Sequence, residues 1–357
     1  STPDPEPTPD PEVPDTHKIL YTSTDGNAIT NFNPNVFGAN VVSNTYENGQ
    51  GVIVFDGEVT KVGSWAFAST ATLSTITLPS TVADIEDYAF LSCTNLSAFY
   101  GSLATADGRA VVINNKLCAF APSGLTEYSV PEGVVKIGST VFESCATLVN
   151  VTLPQTLEEI GDSAFYNIST LKGINIPGRV TRIGAAAFRG CSGLETISIP
   201  DSVNAIGASA FRDCVGLVKV AIGGGLTSLY EATFENCTSL TNVTLGDSIS
   251  SIGLGAFYGC SSLVSIELPA TVTLIDNNVF SNCTSLASVY CLPTTPPSGS
   301  KSMFNNNAAN RKIYVPAASL DAYKAASGWS AYADAIEVDN SGTPGGDIGE
   351  NIYPGEL

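Results

Sequence analysis

Phenylalanine recurs at a fixed step: Phe142, Phe165, Phe188, Phe211, Phe234, Phe257 and Phe280 are each separated by 23 residues. A period of this length marks a solenoid, in which each repeat buries its apolar face only by stacking on its neighbours. A chain of 357 residues would otherwise suggest two or three domains. A stacked core grows in one dimension and removes that expectation. The hydrophobic fraction of 43% is enough for a continuous core, and with only 14% charged residues the surface must be mainly Ser, Thr, Asn and Gly.

Counting from each Phe, the turn carries Cys at +3, Leu at +6, Ile or Val at +9, Leu or Ile at +11, Pro at +12, Val at +15 and Ile at +18. Leu-x-x-Ile-x-Leu alternates as a strand does, with a bend at its start. Proline, having no N–H for the ladder, ends it. Val-x-x-Ile-Gly opens the return limb, and Ala-Phe-x-x-Cys predicts a short helical turn. Seven of the nine cysteines (Cys93, Cys145, Cys191, Cys214, Cys237, Cys260, Cys283) occupy the +3 position, where other turns have Thr70 and Ile168. An Ile inside the column speaks against a metal or disulfide ladder, so the position reads as a small buried side chain. Stacked strands would still place neighbouring thiols within disulfide reach. Cys291, at a +11 position, reads as core.

Residues 1–17 alternate Pro with acid or Thr, an extended linker or stalk. The chain opens at Ser1 without Met and reads as a mature or trimmed product. Residues 18–50 break the repeat and are expected to form an N-terminal cap, with a strand at 19–22 and a turn at 24–27. Repeats run over 51–292, the first marked by Ile53, Phe55, Val59 and Val62. Phe90 and Phe142 lie 52 residues apart instead of 46, which predicts an insertion near 101–121, a β-hairpin of 110–113 against 117–120. Residues 293–338 form a C-terminal cap: a last strand at 313–316, then a helix at 319–326 with Ser319 as N-cap, Gly328 as stop and Trp329 packed beside it. The tail 339–357 is polar, Gly-rich and loose.

A net charge of −19 repels phosphate backbones and anionic membrane surfaces, which argues against nucleic acid as a partner and against docking on an anionic membrane. No apolar run approaches the roughly 20 residues needed to cross a bilayer. The single histidine, His17, ends the linker, so Ser-His-Asp and Cys-His centres are excluded within one chain. Glu158-Glu159 and Asp84, Glu86 and Asp87 read as a solvated face, not as a glycosidase pair. Gly223-Gly224-Gly225 sits at a solenoid corner without the Lys-Ser/Thr of a phosphate loop. No cofactor, metal or catalytic residue is expected, and the chain is read as a non-enzyme.

The positions that the repeat leaves free are the informative ones. At Phe+1 successive turns carry Glu143, Tyr166, Arg189, Arg212, Glu235 and Tyr258. Stacking sets these about 5 Å apart, with Arg189 against Tyr166 and Arg212 beside Glu235. Six of the 15 basic residues fall between 172 and 219: Lys172, Arg179, Arg182, Arg189, Arg212 and Lys219. Tyr166, Arg182, Arg189, Arg212, Lys219 and Tyr258 are therefore candidate partner-binding residues, since Arg and Tyr are enriched at binding hot spots. The same charges read equally as ion pairs between turns. The strand face carries small polar residues, with aromatics only at Tyr100 and Tyr290.

Leu148-Val-Asn-Val-Thr-Leu-Pro-Gln-Thr-Leu-Glu-Glu-Ile-Gly-Asp-Ser-Ala-Phe165 resembles the leucine-rich repeat of the BspA-like (Treponema pallidum-type) bacterial surface proteins. The closing Ile313-Tyr-Val-Pro-Ala-Ala-Ser-Leu-Asp-Ala-Tyr-Lys-Ala-Ala resembles the terminal segment of members from gut and oral anaerobes. The resemblance implies a right-handed, β-rich solenoid with a parallel sheet on its concave face. It implies export and surface anchoring, often as an outer-membrane lipoprotein with its lipid anchor upstream of Ser1, or secretion. It also implies adhesion to host matrix proteins or other bacterial surfaces. A glycan-binding or glycan-processing solenoid and a passive spacer are the alternatives, and the chain is expected to be a monomer.

Overall fold

The computed structural model describes residues 15–143 and 145–340; most of the expected N-terminal linker, and the tail from 341 on, lie outside the described residues. Asp15–His17, assigned from the sequence to the linker, form a 3-10 turn, and the Thr16 carbonyl accepts a hydrogen bond from Val59 N at 2.9 Å. The chain divides into two compact units, one ending at Ile113 and one beginning at Asn114.

The first unit opens with the cap. Lys18–Ser23 lies between Gln50–Phe55 and Leu73–Thr77, antiparallel to both, and Val41–Glu47 pairs antiparallel with Gln50–Phe55. Ile53 and Phe55 carry the offsets of the repeat, yet their strand belongs to this antiparallel cap. The apolar alternation is the same in either direction and does not encode strand sense. Leu73–Thr77 then pairs parallel with Ala98–Tyr100, and Lys61–Val62 with Asp84–Ile85. An antiparallel strand thus covers the edge that the first parallel strand would otherwise leave open. Phe37, Phe67 and Phe99 fill the core, with Phe67 stacked at 5.4 Å on the half-buried Phe90. The strand Ala110–Ile113 closes this unit; Asn114 and Asn115, both left-handed, lead to Lys116–Phe120 in the next, so the chain forms strands at both places where the insertion was expected.

The second unit is a parallel β-solenoid with two ladders per turn. The longer strands are Glu127–Ser129, Asn150–Thr152, Thr196–Ile199, Lys219–Ile222, Asn242–Thr244, Ser265–Leu268, Ser288–Cys291 and Lys312–Val315. The residue-for-residue registers step by the repeat: Thr196 opposite Lys219, and Lys219 opposite Asn242. The ladder lapses at Gly173, which makes only an isolated bridge to Asn150, and a groove of about 200 Å³ lined by Ile174, Asn175, Thr196 and Ser198 lies there. The second ladder consists of two-residue strands such as Glu159–Ile160, Arg182–Ile183 and Ala205–Ile206. Proline acts as expected and does more: the Pro154, Pro177, Pro200 and Pro269 carbonyls each accept the N–H three residues on, which closes the corner after the strand.

The return limb corrects the expectation of a helical turn. The residues at Phe−2 and Phe+2 are left-handed in turn after turn: Ser163 and Asn167, Ala186 and Gly190, Ser209 and Asp213, Ala232 and Asn236, Gly255 and Gly259. A helix cannot contain them. Their reversed backbone turns the intervening N–H groups toward the neighbouring turn. Phe165 N reaches Ala187 O at 2.8 Å, Phe188 N reaches Ala210 O at 2.8 Å, and Phe211 N reaches Thr233 O at 2.9 Å. The limb is thus hydrogen-bonded along the stack like a sheet, while its own i→i+3 turns hold it tight. Inside it the rings from Phe142 to Phe304 stack face to face at 5.0–5.6 Å.

The C-terminal cap differs in three details. Ser319 does not cap the helix Leu320–Ala325; its hydroxyl donates to Thr294 O at 2.7 Å. The helix stops at Ala326, two residues before left-handed Gly328. Lys312–Val315 is not the last strand, since Ile336–Val338 adds in parallel beside it. Trp329 is fully buried, edge-on to Tyr323 at 4.8 Å, and its indole N–H donates to Pro297 O.

Candidate functional site

The Phe+1 side chains stand on the left-handed return limb, one per turn, and stacking fixes their spacing. The Arg189 guanidinium lies 5.8 Å from the centre of the Tyr166 ring. Arg189 Nε donates to Asp213 Oδ2 at 3.3 Å, Arg212 Nε lies 3.5 Å from the same oxygen, and Arg212 Nη2 is 3.1 Å from Glu235 Oε1. Asp213 Oδ1 accepts from Asn236 Nδ2 at 3.0 Å. Tyr166, Arg189 and Arg212 therefore form one connected set, and the Arg212–Glu235 and Arg189–Tyr166 contacts are those expected from the repeat phase. Asp213, left-handed at Phe+2, is the shared carboxylate of this set and accepts from both neighbouring turns, a partner that the Phe+1 column alone does not contain. Both arginines remain about one-third exposed.

The other candidates lie elsewhere in the repeat. Tyr258 continues the column two turns on, half-buried. Arg182 is on the two-residue ladder, 2.6 Å from Glu159 Oε1 and 3.1 Å from Asp162 Oδ1. Lys219 is exposed on the long strand face between Thr196 and Asn242. Lys219 and the exposed Arg179 make no ion pair among the described residues. The basic band is thus largely matched by acids, side chain to side chain.

The profile of the BspA-type leucine-rich-repeat region matches residues 43–104, 113–240 and 206–325 in six copies. The chain belongs to the BspA-type leucine-rich-repeat family. A search of curated proteins finds no match. Among solved structures, the chain is similar to a leucine-rich-repeat protein of Eubacterium ventriosum at 22% identity and TM-score 0.49, over 59% of this chain and 64% of that one, so it spans under two-thirds of that relative. It is similar to a leucine-rich cell surface protein of Faecalibacterium prausnitzii at 23% identity and TM-score 0.42, over 76% and 86% of the two chains. A Bacteroides ovatus leucine-rich-repeat protein gives 26% identity and TM-score 0.42, over 78% and 86%.

In this BspA-type chain the +3 cysteine is more than filler. All nine cysteines are buried. Cys93, Cys191, Cys214, Cys237, Cys260 and Cys283 each place Sγ 3.0–3.2 Å from the Phe carbonyl of the preceding turn. The weak S–H donor adds a second hydrogen bond to a buried carbonyl; those of Phe67, Phe188, Phe211, Phe234 and Phe257 already accept the N–H three residues on. Burial pushes the thiols of Cys93, Cys145 and Cys191 up to about 12. Thr70 keeps the pattern through its hydroxyl, which donates to Asn31 O. Gly223-Gly224-Gly225 packs on Asp201: a Cβ on Gly225 would fall 2.1 Å from Asp201 O, and Gly224 N donates to Asp201 Oδ1 at 2.8 Å. Among the described residues no group of three His, Cys, Asp or Glu is placed to hold a metal ion.

Two aromatic pairs were not anticipated as pairs, although Tyr290 by itself stood out on the strand face. Tyr290 and Tyr314 stack at 5.0 Å on the strand face, in register between Glu267 and Glu337. Trp65 and Tyr88 stack at 4.5 Å on the return limb of the first unit. Both residues of this second pair sit at Phe−2, so reading that column as Phe+1 was read would have found them.

Proposed function

We propose that this chain is a non-catalytic protein-binding module of the adhesion type, carried outside a bacterial cell. The observation that carries the reading is the Tyr166–Arg189–Arg212 set. Two guanidiniums, each partly open to solvent, are held in place by Asp213, Glu235 and a tyrosine ring. Arginine fixed this way loses little conformational freedom on binding, and pre-organised Arg and Tyr are typical anchors of protein interfaces. Family membership supports surface display, for which we propose a lipid anchor preceding Ser1 or release from the cell. It also supports an extracellular matrix protein or another surface protein as partner. Lys219, Arg182 and Tyr258 are peripheral in this reading. The side chains that recur from turn to turn lie in the core, which supports a scaffold rather than an enzyme.

The test is binding to a panel of extracellular matrix proteins beside a glycan array, at low and physiological salt. The paired variants Arg189→Glu plus Arg212→Glu and Arg189→Gln plus Arg212→Gln separate charge from fold. Both should weaken partner binding by about ten- to a hundredfold, with the melting temperature of the Gln pair close to that of the parent. Unchanged affinity in the Glu pair removes the column from the interface.

A further inference from the structure

The Phe−2 position is left-handed ahead of Phe67, Phe90 and every stacked Phe from Phe142 to Phe280. Its occupants in the second unit are small or amide-bearing: Thr140, Ser163, Ala186, Ser209, Ala232, Gly255 and Asn278. In the first unit the same position holds Trp65 at φ +62° and Tyr88 at φ +64°. Bulky side chains are outliers in this region of backbone space, and such strain persists where the surroundings hold it and concentrates at functional sites. Two successive turns accept it here.

The two rings lie parallel, 4.5 Å apart with an interplanar angle of 8°. Trp65 remains 52% exposed despite that contact, so much of the indole not covered by Tyr88 is open to solvent. The pair is braced from one side. Glu86 Oε1 is 2.9 Å from Lys61 Nζ, and Glu86 Oε2 accepts from the backbone N–H and hydroxyl of Ser64, each at 3.0 Å. This clamps the residue preceding Trp65 to the turn that bears Tyr88. On the other side the loop 31–36 docks against the same turn: Asn33 N donates to Ala66 O and Gly63 N to Val36 O, both at 2.8 Å. That loop presents Asn31 and Asn35, both exposed. Asn31 Nδ2 donates to the Ala68 and Ser69 carbonyls, and the Asn35 side-chain amide has no partner among the described residues.

We propose that Trp65 and Tyr88 form the floor of a binding site for a neutral carbohydrate. The C–H face of a pyranose is apolar and flat enough to lie on an aromatic ring, while its equatorial hydroxyls accept from side-chain amide N–H groups and donate to amide or carboxylate oxygens at the rim. Trp65 supplies the first, and the loop hydrogen-bonded to Ala66 and Gly63 on either side of it carries the exposed amide of Asn35 for the second. The rim here is ionic and amide-bearing rather than apolar. That differs from a protein hot spot, whose anchor is ringed by contacts that exclude water. The net charge of −19 disfavours an acidic glycan. The site is independent of the arginine column in the second unit.

The chain contains two tryptophans, and Trp329 is fully buried, so solvent-accessible indole fluorescence reports Trp65. Titration of the intact chain with soluble β-glucan, xylan, galactan, mannan and amylose should give a saturable change in emission for at least one, with Trp65 shielded from a neutral quencher. Tyr88→Ser should keep the fluorescent reporter and weaken that response at least about tenfold. Trp65→Asn, followed by calorimetry, should abolish binding while the melting temperature holds or rises, because Asn tolerates the left-handed backbone. The proposal is overturned if none of the polysaccharides gives a saturable response, if Tyr88→Ser binds as the parent does, or if Trp65→Asn lowers the melting temperature by several degrees, which would make the stack a structural brace.

Discussion

Removing one ring from the phenylalanine stack should loosen the solenoid locally and leave its ends intact. Phe211 is fully buried, 5.1 Å from the Phe188 ring and 5.4 Å from the Phe234 ring. Phe211→Ala loses the transfer energy of the ring and leaves a cavity, a cost of about 3–5 kcal/mol. Both lost faces are aromatic contacts, which places the cost near the middle or top of that range. We take about 4 kcal/mol, which corresponds to a roughly thousandfold rise in local opening. A repeat contacts its neighbours only, so the loss should be concentrated in the turns that share the cavity. Those turns are linked by the bonds from Phe188 N to Ala210 O and from Phe211 N to Thr233 O. Native-state hydrogen exchange read by mass spectrometry should show protection falling most between about residues 188 and 257 and least in the cap at 312–338. A cost below about 1.5 kcal/mol would refute the argument that the stack holds the core. Uniform loss of protection over the second unit would refute nearest-neighbour stacking instead.

Two further substitutions follow from buried titratable groups. Glu143 Oε2 is buried without a hydrogen-bond partner, and burial raises its carboxyl above the ordinary range. A raised carboxyl favours the folded state at low pH, and that contribution is lost as pH rises through the folded value, so Glu143→Gln should melt higher than the parent at neutral pH and converge with it in acid; a lower neutral melting temperature contradicts this. Cys191 is pushed from 9.0 up to about 12 by burial, so its thiol stabilises the fold fully below about pH 9 and progressively less as pH rises toward 12. Denaturant unfolding of Cys191→Ala across that window should fall with pH less steeply than the parent, by up to about 1.4 kcal/mol per pH unit, and parallel slopes would contradict the assignment.

Much of the second unit was legible because its side chains recur in phase. The period named the ladders of Phe, Leu, Ile and Pro, and the same phase placed Arg189 on Tyr166 and Arg212 beside Glu235. What escaped was backbone conformation. Ala-Phe-x-x-Cys has spacing compatible with a helix, and only the column at Phe+2 (Asn167, Gly190, Asp213, Asn236, Gly259, Asn282) shows why it is not one, since Asn, Gly and Asp tolerate left-handed geometry. Cap direction escaped for another reason: alternation in Gln50–Phe55 tells which face is buried but not whether its partner runs parallel. The strand Ile336–Val338 escaped because a three-residue segment carries little pattern of its own and forms where the edge of Lys312–Val315 is available. Trp65 and Tyr88 were missed because one column was read for charge and its neighbour was not.

The central claim is that the core residues specify stacking, while partner recognition resides in the free positions beside them, above all at Tyr166, Arg189 and Arg212. Hydrogen-exchange footprinting of the intact chain, with and without the protein partner recovered from the matrix panel, tests it directly. The account predicts added protection on the return limb around residues 166, 189 and 212, which Arg189→Gln plus Arg212→Gln abolishes. Protection confined to the long strand face, with the return limb unchanged, would contradict it.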